Sequence, residues 1–249
     1  MLRVMEGKRG QVVLFVIMAV VIVGVVVFLV LVNSGNRIDS EINVEIQSVH
    51  SFVQSCVGEV GEDALYYIGR SGGYFELEEN ERDNGVSVYY DGKDRMISKE
   101  KLEKELGRFV EESLFFCVKG FRDFSEFEIS GGEINSEVKI LDDKVKFEVD
   151  YLLSITRGEN SYQLRRFEYD SEIRLNRIYE FVRKFIDEQV RYKDSLCFGC
   201  LANLAEEYDL YIDMFDKDDL IIIGVVDKES KISRELEEEE YRFYFAVII

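Results

Sequence analysis

The chain has 249 residues, with 31 Lys and Arg against 50 Asp and Glu, a formal net charge of −19. Such an excess of acid excludes nucleic acid as a partner, because phosphates demand Lys and Arg surfaces, and it argues against close binding to anionic lipid headgroups. Proline and tryptophan are absent, while 18 Phe and 14 Tyr leave a core to be built from Phe, Tyr, Ile, Val and Leu.

Residues 1–11 form a short basic leader, with Arg3, Lys8 and Arg9 against Glu6. Val12 to Val32 is then an unbroken apolar run without charge or amide. About 21 residues at 1.5 Å rise make roughly 31 Å of helix, enough to span a hydrocarbon core of about 30 Å. The run is too long for the apolar region of a cleaved secretory signal, and Asn33-Ser34-Gly35 matches a cleavage site only loosely. After it come Arg37 but also Asp39, Glu41 and Glu45. The positive-inside rule therefore keeps the leader in the cytoplasm and sends the large C-terminal part outside, as a single-pass cell-membrane protein.

Lys8-Arg9-Gly10-Gln11 followed at once by an apolar helix resembles the class III signal peptides of archaeal type IV pilin-like surface proteins. The resemblance covers about residues 8–32. It implies cleavage by a prepilin peptidase between Gly10 and Gln11, with the helix retained and, in true pilins, packed into a filament core. It also implies membrane partnership and association with itself or other pilin-like subunits. Many of these proteins carry a glutamate at the fifth mature position, where this chain has Phe15.

Residues 33–70 read as an amphipathic stalk. Ile42, Ile46, Val49, Val53, Cys56, Val60, Ala64 and Tyr67 recur in steps of three and four, with Gly58 and Gly61 weakening the helix by about 1 kcal/mol each. Residues 71–249 read as an extracytoplasmic α+β domain. Ser71-Gly72-Gly73 stops the first helix, and Val86–Tyr90 is a strand between the turns Asn84-Gly85 and Asp91-Gly92. Ser98 caps a second helix with the stripe Leu102, Leu106, Phe109, Val110, Ser113 and Cys117, and Gly120 stops it. Strands are expected at Phe127–Ser130, Glu133–Leu141, Lys144–Thr156 and Tyr162–Tyr169. A third helix follows at Ser171–Arg191, then a short helix at Leu201–Tyr208. Strands at Leu210–Phe215, Leu220–Val226 and Tyr241–Ile249 close the chain. The fold class is α+β: a long N-terminal transmembrane and amphipathic helix, then a mainly antiparallel sheet with packed helices. The apolar last strand could also be donated to a neighbouring chain.

Four cysteines outside the cytoplasm make disulfides the default. Four cysteines allow three connectivities. Cys56 and Cys117, on two apolar helix stripes, are favoured as one pair, with two separate buried thiols as the alternative. Cys197-Phe198-Gly199-Cys200 is favoured as a local structural disulfide at a helix-to-helix turn. Its rival is a redox centre, although no βαβ pattern precedes it. Zinc is not expected, since His50 is the single histidine and Cys56 and Cys117 are isolated. Asp213, Asp216, Asp218 and Asp219 cluster without EF-hand spacing and read as a solvated connection. Ser98-Lys99-Glu100-Lys101 matches Ser-x-x-Lys, but its companion motifs are missing and Ser98 already serves as a cap. No phosphate loop or dinucleotide glycine pattern is present, so no cofactor, metal or catalytic residue is expected. The favoured function is non-enzymatic: a pilin-like structural or adhesive surface component. The alternatives are a monomeric anchored binding or sensing module and an anchored thiol oxidoreductase.

Overall fold

The structure is a computed structural model that describes residues 44–76, 82–83, 85–192, 195–217, 220–234 and 237–249. The leader, the cleavage position Gly10–Gln11, the anchor Val12–Val32 and the first part of the expected stalk lie outside the described residues. Among the described residues no helix is long and apolar enough to cross a membrane.

Among the described residues, four α-helices and eight strands follow one another in runs, an α+β architecture. They are α1 Val44–Ser71, β1 Arg82–Asp83, β2 Val86–Asp91, α2 Lys99–Val118, β3 Glu128–Ile140, β4 Val145–Arg157, β5 Asn160–Ser171, α3 Leu175–Gln189, α4 Phe198–Glu207, β6 Tyr211–Lys217, β7 Leu220–Arg234 and β8 Glu237–Ile248. The strands form two sheets, β1-β2-β8-β7-β6 and β3-β4-β5. All neighbours are antiparallel except β2 and β8, which run parallel, so the larger sheet is mixed. A parallel pair needs a long connection. Here nearly the whole domain lies between its two strands, a pairing without any local sequence signal.

Helix α1 meets both sheets. Along its first half, His50 lies 5.5 Å from the Phe167 ring, and Gly58 and Gly61 lie against Tyr169 of β5. A Cβ at Gly61 would sit 3.0 Å from the Tyr169 ring, tighter than ordinary contact. The glycines expected to weaken this helix are what lets β5 approach it. Further along, Leu65 O accepts a hydrogen bond from the buried Tyr241 hydroxyl of β8 at 3.2 Å. The expected stripe holds through Ala64, but Tyr67 is half exposed and Ile68 is buried in its place, while the Tyr67 ring stacks on Phe109 of α2.

Helix α2 starts as its sequence predicts, with Ser98 Oγ accepting from Lys101 N at 3.2 Å. It ends one residue before the expected stop. Lys119, Gly120 and Phe121 all have left-handed backbone, with φ of 46°, 63° and 59°. For the two non-glycine residues that conformation costs roughly 1–2 kcal/mol each. Burial of Phe121, whose ring meets Phe52 of α1 edge to face at 6.5 Å, offsets that cost.

The flank of α2 seals the outer edge of β3. Glu111 accepts from Ser136 N at 2.8 Å and Glu103 accepts from Ile140 N at 2.9 Å. Between them Gly107 presses on Ser136 O, which a Cβ would approach to 2.9 Å. Residues 103, 107 and 111 share one helix face. Eight residues of helix and four of strand both span about 12 Å, so the two carboxylates meet every second outward amide of the strand.

The two strands expected at 127–130 and 133–141 are one strand, β3, carrying a register shift between Gly131 and Ile134. The gap left between them, Gly131-Gly132, is a bulge rather than a break, with Gly131 beneath the Tyr151 hydroxyl. In β4 the expected alternation holds: Val145, Phe147, Val149 and Tyr151 are buried between more exposed Lys146, Glu148 and Asp150. The last hairpin is longer than expected. β7 runs to Arg234, and the acidic run Glu237–Glu240 is the start of β8, with Lys231 opposite Glu240. β8 lies inside its own sheet between β2 and β7, which ends the idea of a donated strand.

Helix α3 is shorter than expected at both ends. It buries Ile178, Phe181, Val182, Phe185 and Ile186, and Phe185 meets Phe245 of β8 at 6.0 Å, while Val190 is 40% exposed and lies past its end. Helix α4 begins inside the CxxC rather than after it.

Candidate functional site

Both expected disulfides are present. Cys56 and Cys117 join α1 to α2 with Cα atoms 5.7 Å apart, across 61 residues of sequence. Cys197 and Cys200 are joined locally, with Cα atoms 5.3 Å apart. A bond that closes a long loop restricts the unfolded chain far more than one that closes a short loop.

The CxxC forms the first turn of α4, not a helix-to-helix turn. Cys197 is the N-cap, and its Sγ accepts from Cys200 N at 3.3 Å. The loop before it is held by Gln189, which is fully buried. Gln189 Oε1 accepts from Cys197 N at 2.9 Å, and Nε2 donates to Tyr192 O and Ser195 O at 2.9 and 3.0 Å. One amide thus satisfies three backbone groups that would otherwise be stranded between α3 and α4. Cys197 is only 6% exposed, whereas Phe198 beside it is 60% exposed. An attacking thiolate needs solvent access, which Cys197 lacks.

A cleft of about 760 Å³ opens between α1, the end of β5 and the outer part of β7. Glu59, Glu62, Asp63, Asp170 and Glu172 line it, with Lys231 as the cation. Glu62 accepts from the hydroxyls of Tyr169 and Ser171, the latter at 2.9 Å. Burial, and then the bond to Glu62, push the Tyr169 hydroxyl well above the ordinary phenol range. The cleft is a strongly acidic wall that repels anions, and the Ser171 hydroxyl bonded to Glu62 is itself buried, at 2% exposure.

One buried carboxylate had no signal in the sequence. Asp227 of β7 is fully buried and accepts from Arg174 Nε at 2.9 Å, Arg174 Nη2 at 2.5 Å, Ser230 Oγ at 2.6 Å and Glu229 N at 3.1 Å. Burial pushes its carboxyl upward, but hydrogen bonds from Arg174 and Ser230 outweigh that and hold it below the ordinary range. Arg174 precedes α3 while Asp227 stands at the register shift of β7, so the pair ties the exit of β5 to the larger sheet. The arrangement is structural: every Asp227 oxygen is occupied by protein donors.

The remaining candidates separate. Asp213 pairs with Arg242 at 2.6 Å, and Asp218 and Asp219 lie outside the described residues. His50 packs on Phe167, and Ser98 caps α2. Among the described residues no three His, Cys, Asp or Glu side chains gather as a metal set. Sequence reasoning also passed over Phe115 and Phe116, which are 60% and 72% exposed at the end of α2. Their signal was available: both fall off the apolar stripe of that helix. No protein-family model, curated protein or solved structure matches the chain.

Proposed function

We propose that this protein is a membrane-anchored surface component, pilin-like in its leader, that displays an acidic α+β domain outside the cytoplasm in a structural or adhesive role. The observation that carries the reading is the Val12–Val32 run directly behind Lys8-Arg9-Gly10-Gln11. Two disulfides in the domain support an oxidising location. The mechanism is packing of the apolar helix in the bilayer or in a filament core, with the acidic surface turned outward. The buried, Gln189-held Cys197 favours a structural role for the CxxC over thiol exchange.

A second reading, a monomeric anchored binding module, is favoured by the acidic cleft beside Glu62. The N-terminal residue and intact mass of the native protein, extracted from membranes without reductant, separate the two. A start at Gln11 is the expected result and sends the search to filaments. A start at Met1 removes the pilin-like part and leaves the anchored module. The same mass counts the disulfides in the native protein, and a fully reduced chain would remove the argument from compartment.

A further inference from the structure

Phe115 and Phe116 stand edge to face with ring centroids 5.8 Å apart, both largely in water. Single exposed apolar side chains are ordinary, but two adjacent exposed phenyl rings make a continuous patch. Its position is fixed by three links to α1. Cys117, the next residue, is bonded to Cys56, and Phe52 meets Phe121 at 6.5 Å and Phe124 at 5.3 Å. The compact unit begins at Ser48. Cys56 lies about 12 Å of helix beyond that point. The patch therefore sits at the end of the unit where the chain comes in from Val12–Val32. About 16 residues separate Val32 from Ser48, a tether of at most roughly 55 Å. A tether of that length keeps this end of the unit within reach of the bilayer at high effective concentration.

Charge does not oppose the approach. Exposed Lys119 and Arg122 balance exposed Asp123 and Glu126 in the stretch that follows the rings, and Glu59 of α1 adds one carboxylate 3.8 Å from Cys117 Sγ, so the local acid excess is small in a chain of net charge −19. Glu112, one turn before Phe116, shares Arg108 with Glu76, at 3.0 and 2.5 Å. An aromatic surface with a small acid excess suits the headgroup and glycerol layer of a zwitterionic rather than an anionic phospholipid, where phenyl rings bury while flanking polar groups stay hydrated.

We propose that Phe115 and Phe116 are a lipid-contact patch that seats the acidic domain on the bilayer holding its own anchor. The inference rests on the membrane-anchored reading. The absence of tryptophan from the chain makes a direct test available. The full chain is reconstituted in phosphatidylcholine vesicles carrying brominated acyl chains, as single variants Phe116→Trp, Phe198→Trp and Phe28→Trp. Phe198 serves as the matched control, being as exposed as Phe115. The expected result is loss of most of the Phe116→Trp emission with a blue shift, unchanged by salt, and no quenching of Phe198→Trp. Quenched Phe28→Trp with unquenched Phe116→Trp keeps the anchor and overturns the patch. Unquenched Phe28→Trp and Phe116→Trp overturn both. Equal quenching of Phe116→Trp and Phe198→Trp overturns the assignment to this end of the domain. Loss of Phe116→Trp exposure only at high protein density, with cross-linking between chains, assigns the patch to a second copy and overturns the lipid contact. Trypsin supplies a readout without substitution. Cleavage after Lys119 and Arg122 should slow in vesicles relative to cleavage after exposed Arg191, and equal rates would contradict the seating.

Discussion

The two halves of the domain are held by different means. On the side of the three-stranded sheet, helices α1 and α2 are joined by a covalent bond spanning 61 residues, and α2 caps the free edge of β3 with Glu103 and Glu111. On the side of the five-stranded sheet the disulfide spans three residues, and the long-range tie is the buried pair Arg174–Asp227. At the last strand in the larger sheet's order, β6, Tyr211, Met214 and Phe215 stand half exposed. The contrast shows how a domain with no proline and little symmetry secures distant segments. Where two helices face each other it uses cysteine, and where a strand must meet a connecting loop it uses a charge pair with every oxygen satisfied.

The comparison breaks most sharply at the long disulfide. Cys56→Ala with Cys117→Ala should lower unfolding stability by about 4 kcal/mol in the chain-entropy account, read from the urea midpoint together with a steeper slope as the unfolded chain expands. A loss below about 1 kcal/mol would mean that α1 and α2 stay together in the unfolded ensemble without the bond. The buried pair comes next. Asp227→Asn should cost about 3 kcal/mol by leaving the Arg174 charge uncompensated, while the double change Asp227→Leu with Arg174→Met should cost less. The pair also carries a pH signature. Because the Asp227 carboxyl is held below its unfolded value, its contribution is complete above that value, near pH 4, and is lost as pH falls through the lower folded value. Acid titration of wild type against Asp227→Asn should therefore converge below about pH 4. The local disulfide follows: Cys197→Ala with Cys200→Ala should cost only about 1.6 kcal/mol, measured by the same urea midpoint. The smallest effect belongs to the sheet edge. Glu111→Ala should cost about 1 kcal/mol and speed hydrogen exchange at Ser136, whose amide it would expose.

Much of this was legible where the signal is local. The α2 stripe from Leu102 to Val110 with its Ser98 cap, the alternation of β4 and the positions of Cys56 and Cys117 on facing helices follow from periodicity alone, whereas beyond Val110 the buried positions are Leu114 and Val118 rather than Ser113 and Cys117. Where tertiary contact decides, the reading departs from the structure. Gly131-Gly132 looks like a break between two strands because nothing local reveals that Tyr151 lies over Gly131. Glu237–Glu240 looks too polar for a strand until Lys231 and Arg70 are seen beside it, at 3.9 Å from Glu240 and 3.7 Å from Glu239. Asp227 looks like the polar end of a strand because Arg174 is 53 residues away. The parallel meeting of β2 and β8 is the extreme case, since no local pattern distinguishes a parallel from an antiparallel edge. The candidate sites divide the same way. The cysteines announce themselves by type, whereas the Phe115–Phe116 patch gains meaning only from its links to α1.

The bond between Cys56 and Cys117 also has a mechanical meaning. On the membrane-anchored reading, the domain would be pulled through its N-terminal side, and tension would peel α1 from its beginning at Val44. After about twelve residues the load reaches Cys56 and passes covalently into α2 at Cys117. The 61 residues between them are shielded, and with them Leu65, which receives Tyr241, and the helix face that seals β3. In the oxidised chain roughly 200 Å of contour length stays locked at any force that leaves the bond intact. Stretching single molecules before and after reduction would display that hidden length directly.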